Sequence, residues 1–432
     1  MSAAERAKKY MFAIALTYMC YLTHGIQAII LSQNQVNFYT QWGYTDATAG
    51  AAAVSMAIVW TGVGKFVSVW AGGELSDRIG RKIPAVVGGV LYIICFSILL
   101  TTTDATVACF AAFLSGLATS GFWDASLYPA TQEADPKNAA SWVIGIKFVI
   151  SVSGIIYPLF AAMNSDPGSW HVNIVIPIVM SVIATIMAII CPFVYDDERK
   201  TKVEGANNED VKNAAEAEIK AQREAMLAKP NALVNFITMF YGFVCMFIMY
   251  GAQQYTKQFG ITNCGLDPVA AAGLTSIYTV GSLIAVLFWA FMMSKLRWNP
   301  VKVVLIDSII SAVALAIVLL IHVNVIIYIA IALLGFGAAG GALQTGLIVR
   351  QNYCPGPKGR NVGIYYTFMG AGSVFLPFIV GSLTTAIGQG AAVWTMMVLL
   401  LVFSCLAIVM MMYLVSQSKK LFGYSAMDKM PE

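Results

Sequence analysis

Charge is scarce in this sequence. Asp, Glu, Lys and Arg make up 11% of the residues and hydrophobic side chains 59%, against about 25% and 45–50% in soluble domains. A water-soluble globule could not cover its surface with so few charges, so that class is excluded. Reactive side chains are no better represented. There are 8 cysteines and 3 histidines, and no two cysteines form a C-x-x-C pair, which argues against a metal knuckle and against a disulfide framework. Cys20, Cys95, Cys109, Cys191, Cys245 and Cys405 fall inside apolar runs, with Cys264 and Cys354 near loops. Neither a metal cluster nor a nucleophile–base arrangement is visible, so no enzyme chemistry, metal or cofactor is expected. The formal net charge of +4 reflects basic residues gathered in alternate loops and does not point to a nucleic-acid partner.

What the chain has in abundance is long apolar runs. About 20 apolar residues are needed to cross a bilayer as a helix, and twelve such runs can be counted, near 10–36, 48–73, 83–103, 106–133, 138–163, 171–194, 231–259, 268–293, 301–322, 325–350, 360–386 and 391–415. The first is too long for a signal-peptide core and lacks a small-residue cleavage site, so it is expected to remain as span 1. The basic residues set the orientation. Lys and Arg occupy the N-terminus (Arg6, Lys8, Lys9), alternate loops and the C-terminal tail (Lys419, Lys420, Lys429), whereas the intervening loops carry Asp46, Asp104, Asp166 and Asp267. The positive-inside rule then places both termini in the cytoplasm. Lys65, Lys147 and Lys257 alone depart from this pattern.

Residues 195–229 are polar and of mixed charge, and divide the chain into a six-helix bundle over 1–194, a cytoplasmic linker, and a second bundle with a tail over 230–432. Within the linker, Glu216/Lys220 has i,i+4 spacing and Val211, Ala215, Ile219 and Met226 trace an apolar stripe, the pattern of a surface-lying helix. The two halves repeat. Gly116, Gly121 and Pro136 reappear as Gly335, Gly340 and Pro355, and Pro158 as Pro377, at one constant offset. His24-Gly25-Ile26-Gln27 answers to Tyr250-Gly251-Ala252-Gln253, and Gly64-Lys65 to Gly281-Ser282.

Between spans 2 and 3 lies Gly73-Glu-Leu-Ser-Asp77-Arg78-Ile-Gly80-Arg81-Lys82, read as a basic turn with two glycines that let the chain reverse. It resembles the signature loop of the major facilitator superfamily, G-x-L-[AS]-D-R-x-G-R-[KR], at nearly every position. The resemblance implies an all-α membrane fold of twelve helices in two parallel six-helix repeats, with substrate near the midplane between them. It also implies that Gly73, Asp77, Arg78, Gly80 and Arg81 act in gating rather than substrate contact. The second-half counterpart, Ser294-Lys295-Leu-Arg297-Trp298-Asn299-Pro300, lacks the Asp and both glycines.

Charges at mid-membrane depth are the candidate site. Asp124 and Lys147 each lie eleven residues from the Asp135-Pro136 turn, or about 17 Å at helical rise, near the centre of a core roughly 30 Å thick. A structural ion pair, an anion-binding lysine and a protonatable Asp124 are all compatible with that placement. Lys65 either snorkels to the cytoplasm or faces the cavity. Lys257, toward the outer end of span 7, snorkels or steers anions. Around these charges, the cavity spans carry His24, Gln27 and Asn34, then Tyr250, Gln253, Gln254, Tyr278, Gln344, Tyr365 and Tyr366, a set suited to a small organic molecule with an apolar body. Spans 3, 6, 9 and 12 are read as peripheral, with Asp307 and His322 near the ends of span 9. Arg350 is explained by topology alone.

The Asp124-Ala-Ser-Leu-Tyr128-Pro129 motif and the span-5 lysine are similar to bacterial inner-membrane carboxylate, aromatic-acid or amino-acid transporters. The function expected is proton-coupled symport of a small organic anion by alternating access, with Asp124 carrying the proton. The partners expected are the substrate, a proton and the lipid bilayer, with the chain as a monomer. A sugar or zwitterionic amino-acid transporter and a non-transporting receptor or scaffold are the alternatives.

Overall fold

The computed structural model describes residues 3–135, 139–202, 220, 223–224, 226–321, 323–356 and 358–430. Val211, Ala215, Glu216 and Ile219 of the expected surface helix, and His322, lie outside the described residues. The elements are α1 (Ala3–Gln27), α2 (Ile30–Gln33), α3 (Gln35–Gln41), α4 (Ala47–Ile79), α5 (Lys82–Thr101), α6 (Ala105–Gly116), a π-helical segment (Leu117–Trp123), α7 (Asp124–Ala134), α8 (Ala139–Met163), α9 (Val172–Ile190) and α10 (Val194–Lys202). They continue as α11 (Ala232–Cys264), α12 (Pro268–Lys295), α13 (Pro300–Leu320), α14 (Asn324–Ala339), α15 (Ala342–Tyr353), α16 (Lys358–Ile387) and α17 (Gln389–Phe422). Among the described residues the sole β feature is an isolated bridge between Trp298 and Lys429.

Eleven helical segments among the described residues are long and apolar enough to cross a membrane. α1 is not one of them, because Thr17, Tyr18, Tyr21, Thr23, His24 and Gln27 dilute its apolar character. Span 1 is also not continuous: it breaks after Gln27 and again at Asn34.

The loop acids have a local role in starting helices. Asp46 accepts from the N–H groups of Thr48 and Ala49 at 3.1 Å, and Asp267 from Val269 and Ala270 at 3.0 Å. Each satisfies donors that the first turn leaves open and offsets the helix dipole. Asp104 does the same for α6, and the backbone N–H of Thr106, followed by that of Val107, holds its carboxyl below the usual carboxylate range.

The described chain forms two compact units. The first comprises residues 1–205, 257–276 and 374–393; the second comprises 206–256, 277–373 and 394–432. In the first, α4 and α6 meet backbone to backbone, where a Cβ added at Gly64 would lie 3.0 Å from the Gly116 Cα. In the second, a Cβ at Gly335 on α14 would lie 3.0 Å from the Tyr278 Cα on α12. Gly116 and Gly335 correspond in the repeat, and small residues at such crossings let membrane helices approach closely.

Candidate functional site

In the first unit the π-helical segment directly precedes Asp124. Such one-turn irregularities rotate the residues beyond them about the helix axis and are frequent at functional sites. Asp124 Oδ1 accepts from the Tyr21 hydroxyl at 2.6 Å, and Oδ2 from Ser120 Oγ at 3.3 Å. Lys65 and Lys147 lie within electrostatic range of the carboxylate, and both also act on His24. Four of the ionisable residues predicted from the sequence, on α1, α4, α7 and α8, therefore converge. Asp124 is thus hydrogen-bonded to two hydroxyls and acted on electrostatically by both lysines.

A second set of groups extends this cluster. His24 Nδ1 stands 3.1 Å from the Tyr92 hydroxyl, which lies 2.6 Å from Thr119 Oγ1 in the π-helical segment. Gln27 is buried and donates to Ser115 Oγ at 2.9 Å. Tyr21 packs edge-on against both His24 and Tyr128, with ring centroids 5.8 and 5.1 Å apart. Sequence reasoning missed Tyr21, Tyr92, Thr119 and Ser120. Tyr21 had a usable signal, since it stands one helical turn before His24 on the face that also carries Gln27. Tyr92 had none, because it sits on a span read as peripheral.

The remaining candidates lie in the second unit. Tyr250 and Gln254 are buried, Gln253 and Tyr366 half-buried, and Gln344 exposed. Tyr278 and Tyr365 are fully buried and direct their hydroxyls at backbone carbonyls, Met249 O at 3.0 Å and Leu343 O at 3.2 Å. Their donors are thus engaged in joining helices. The Tyr365 and Tyr366 rings meet edge-on at 6.2 Å.

The signature stretch is more helical than its sequence suggests. α4 runs through Gly73 to Ile79, and the reversal occurs at Gly80 alone, whose φ is 98°. Gly73 is helical with open space around it; no proline or cap intervenes there to end the helix. Arg81 is the centre of this region, its side chain 7% exposed. It bonds Asp77 Oδ1 at 2.7 Å, Ser76 Oγ at 2.8 Å and Glu133 Oε1 at 2.9 Å, while its backbone N–H donates to Asp196 Oδ2 at 2.8 Å. Its guanidinium lies over the Tyr195 ring, 4.4 Å from the centroid. Burial opposes the charged form of Arg81, but the bonds to Glu133 and Asp77 outweigh it and keep the guanidinium strongly protonated. Among the described residues Arg78 pairs along its own helix, with exposed Glu74. The counterpart Ser294–Pro300 stretch is held instead by the C-terminal tail, with Met430 N–H donating to Arg297 O at 2.9 Å.

Two basic residues differ from their sequence reading. Lys257 does not snorkel. It is 8% exposed and donates to the Gln33 carbonyl at 2.5 Å, beside the bond from Gln258 to Ser32 O at 2.6 Å. The break at Asn34 explains this, because it releases carbonyls from the helical ladder. Arg350 is also buried and bonds Thr238 Oγ1 at 3.0 Å and the Asn235 carbonyl at 3.2 Å, so it joins α15 to the first turns of α11.

Membrane-length helices and glycine-mediated crossings define a multi-pass helical membrane protein. The chain belongs to the Major Facilitator Superfamily, whose family model matches residues 10–274 and 262–423. It is 28% identical over 368 residues to the inner membrane transport protein YdiM of Escherichia coli (strain K12), covering 85% of this chain and 86% of the relative. The inner membrane transport protein YdiN of the same organism is 24% identical over 377 residues, covering 87% and 84%. The fold is similar to that of a D-xylose-proton symporter, with a TM-score of 0.69 at 12% identity, over 94% of this chain and 97% of the other. The protein is a multi-pass inner-membrane transporter.

Proposed function

We propose that this transporter moves a small organic anion, a carboxylate or aromatic acid, by alternating access in symport with protons. The carrying observation is the cluster of Lys65, Lys147, Asp124 and His24 in the first unit. The two lysines and one carboxylate of the cluster sum to net positive charge, and charged side chains within a membrane mark substrate pathways. An anionic substrate complements that sign. Asp124, held by neutral hydroxyls, is the proton carrier: protonation weakens its hold on the lysines and changes what they offer the substrate. Tyr366, Gln253 and Gln344 are further candidates for contacts to an uncharged body. The reading includes twelve spans with cytoplasmic termini, bundles over 1–194 and 230–432 joined by a linker over 195–229, gating by Asp77 and Arg81, and a monomer.

A zwitterionic amino acid is the second reading, because Asp124 can accept an ammonium while the lysines take the carboxylate. Uptake into proteoliposomes separates the two. Under an inward proton gradient, Lys65→Gln and Lys147→Gln each lose uptake of simple carboxylates if the anion reading holds. Uptake of amino acids with none of carboxylates overturns it.

A further inference from the structure

Asp307 lies about two turns inside α13, fully buried at 0% exposure, on a helix that the cavity cluster does not use. Oδ1 accepts from the Trp289 indole N–H of α12 at 2.7 Å, while Oδ2 has no hydrogen-bond partner. The surroundings are apolar: Ala285, Trp289 and Val303 form the cluster, with Met292, Met293, Ile306 and Phe336 against it. Of the elements packed around the carboxyl, α11 contributes one titratable group, Tyr241; among the described residues no basic side chain acts on it.

Oδ2 is aimed at a discontinuity. α14 ends at Ala339 and α15 begins at Ala342, so the helix is interrupted at Gly340 and Gly341. A Cβ added at Gly341 would lie 3.3 Å from Asp307 Oδ2 and 2.7 Å from Trp289 Cδ1. The break leaves carbonyls at the end of α14 without intrahelical donors. An ionised carboxylate offers these carbonyls only acceptor atoms, whereas a carboxylic acid has one O–H donor and keeps an acceptor for the indole. A buried charge without a cation tends to neutralise rather than persist.

We propose that Asp307 is a proton-binding site separate from Asp124, occupied at neutral pH, with its acid O–H directed toward the α14–α15 break. Proton release places an uncompensated negative charge beside Gly341, so protonation and the geometry of the break are linked. This inference does not rest on the anion reading.

Infrared spectroscopy of the full-length protein tests it, using aspartate labelled with carbon-13 in the side-chain carboxyl. At neutral pH an isotope-sensitive protonated-carboxyl stretch is expected in the wild type, retained in Asp124→Asn and lost in Asp307→Asn. Absence of that band from Asp124→Asn overturns the proposal, as does its persistence in Asp307→Asn. Should Asp307→Asn not fold, Trp289→Phe assigns the band in its place. Removal of the indole donor is expected to raise the stretching frequency, and an unmoved band overturns the assignment.

Discussion

The Tyr21 hydroxyl donates a 2.6 Å hydrogen bond to Asp124 Oδ1, so an aromatic ring on α1 holds the carboxyl at the head of α7. The bond joins two helices that carry the candidate charges, and it gives Asp124 a neutral hydroxyl partner. Two consequences can be measured directly.

Tyr21→Phe removes that donor while keeping the ring that packs on Tyr128 and His24. A hydrogen bond to a charged group contributes about 1.5–3 kcal/mol, and a loss of that order is expected in thermal unfolding. Proton-driven uptake should fall more than exchange between equal pools. Equal losses in both assays would make Tyr21 a packing residue only.

Asp124→Asn should abolish uphill, pH-driven uptake and retain substrate exchange. If the carboxylate instead serves only to balance a lysine, removing either partner should destabilise by about 3–5 kcal/mol, and Asp124→Asn/Lys147→Gln together should restore both stability and pH-driven uptake. Recovery in the double variant excludes Asp124 as the proton carrier.

The two acids that bond Arg81 should behave differently. Glu133 is 23% exposed and Asp77 66%, so Glu133→Gln should cost about 1.5–3 kcal/mol and Asp77→Asn at most about 1 kcal/mol. Asp77→Asn should nevertheless change transport rate more than equilibrium substrate affinity, because its proposed contacts differ between conformations. A large affinity loss with unchanged rate rejects the gating role.

Lys257→Met keeps most of the side-chain volume but removes the donor to Gln33 O. The segment after the break in span 1 should loosen, and Cys264, at the end of α11, should react several-fold faster with a small thiol reagent when it is the sole cysteine. An unchanged rate means that Lys257 fastens nothing.

Topology is tested by cysteine labelling. Positions beside Asp46, Asp104 and Asp166 should react with an impermeant reagent from outside, and positions beside Arg81 and Lys212 should be protected. Exterior reaction beside Arg81 inverts the orientation.

Composition and periodicity alone determined that this chain is a helical membrane protein, because apolar runs of bilayer length leave the backbone no alternative to intrahelical hydrogen bonds. The Gly73–Lys82 stretch was legible as the mark of a family whose model matches residues 10–274 and 262–423, although the continuation of the helix through Gly73 to Ile79 was not. What sequence could not decide was which polar atoms meet. Asp124 meets Tyr21 directly beyond the π-helical segment Leu117–Trp123, an irregularity with no compositional mark. Lys257 is buried because span 1 breaks beside it, and Asp307 is enclosed because Gly341 admits both its carboxyl and the Trp289 ring. Each outcome depends on side chains from different helices sharing one small volume, and helix–helix packing alone fixes that.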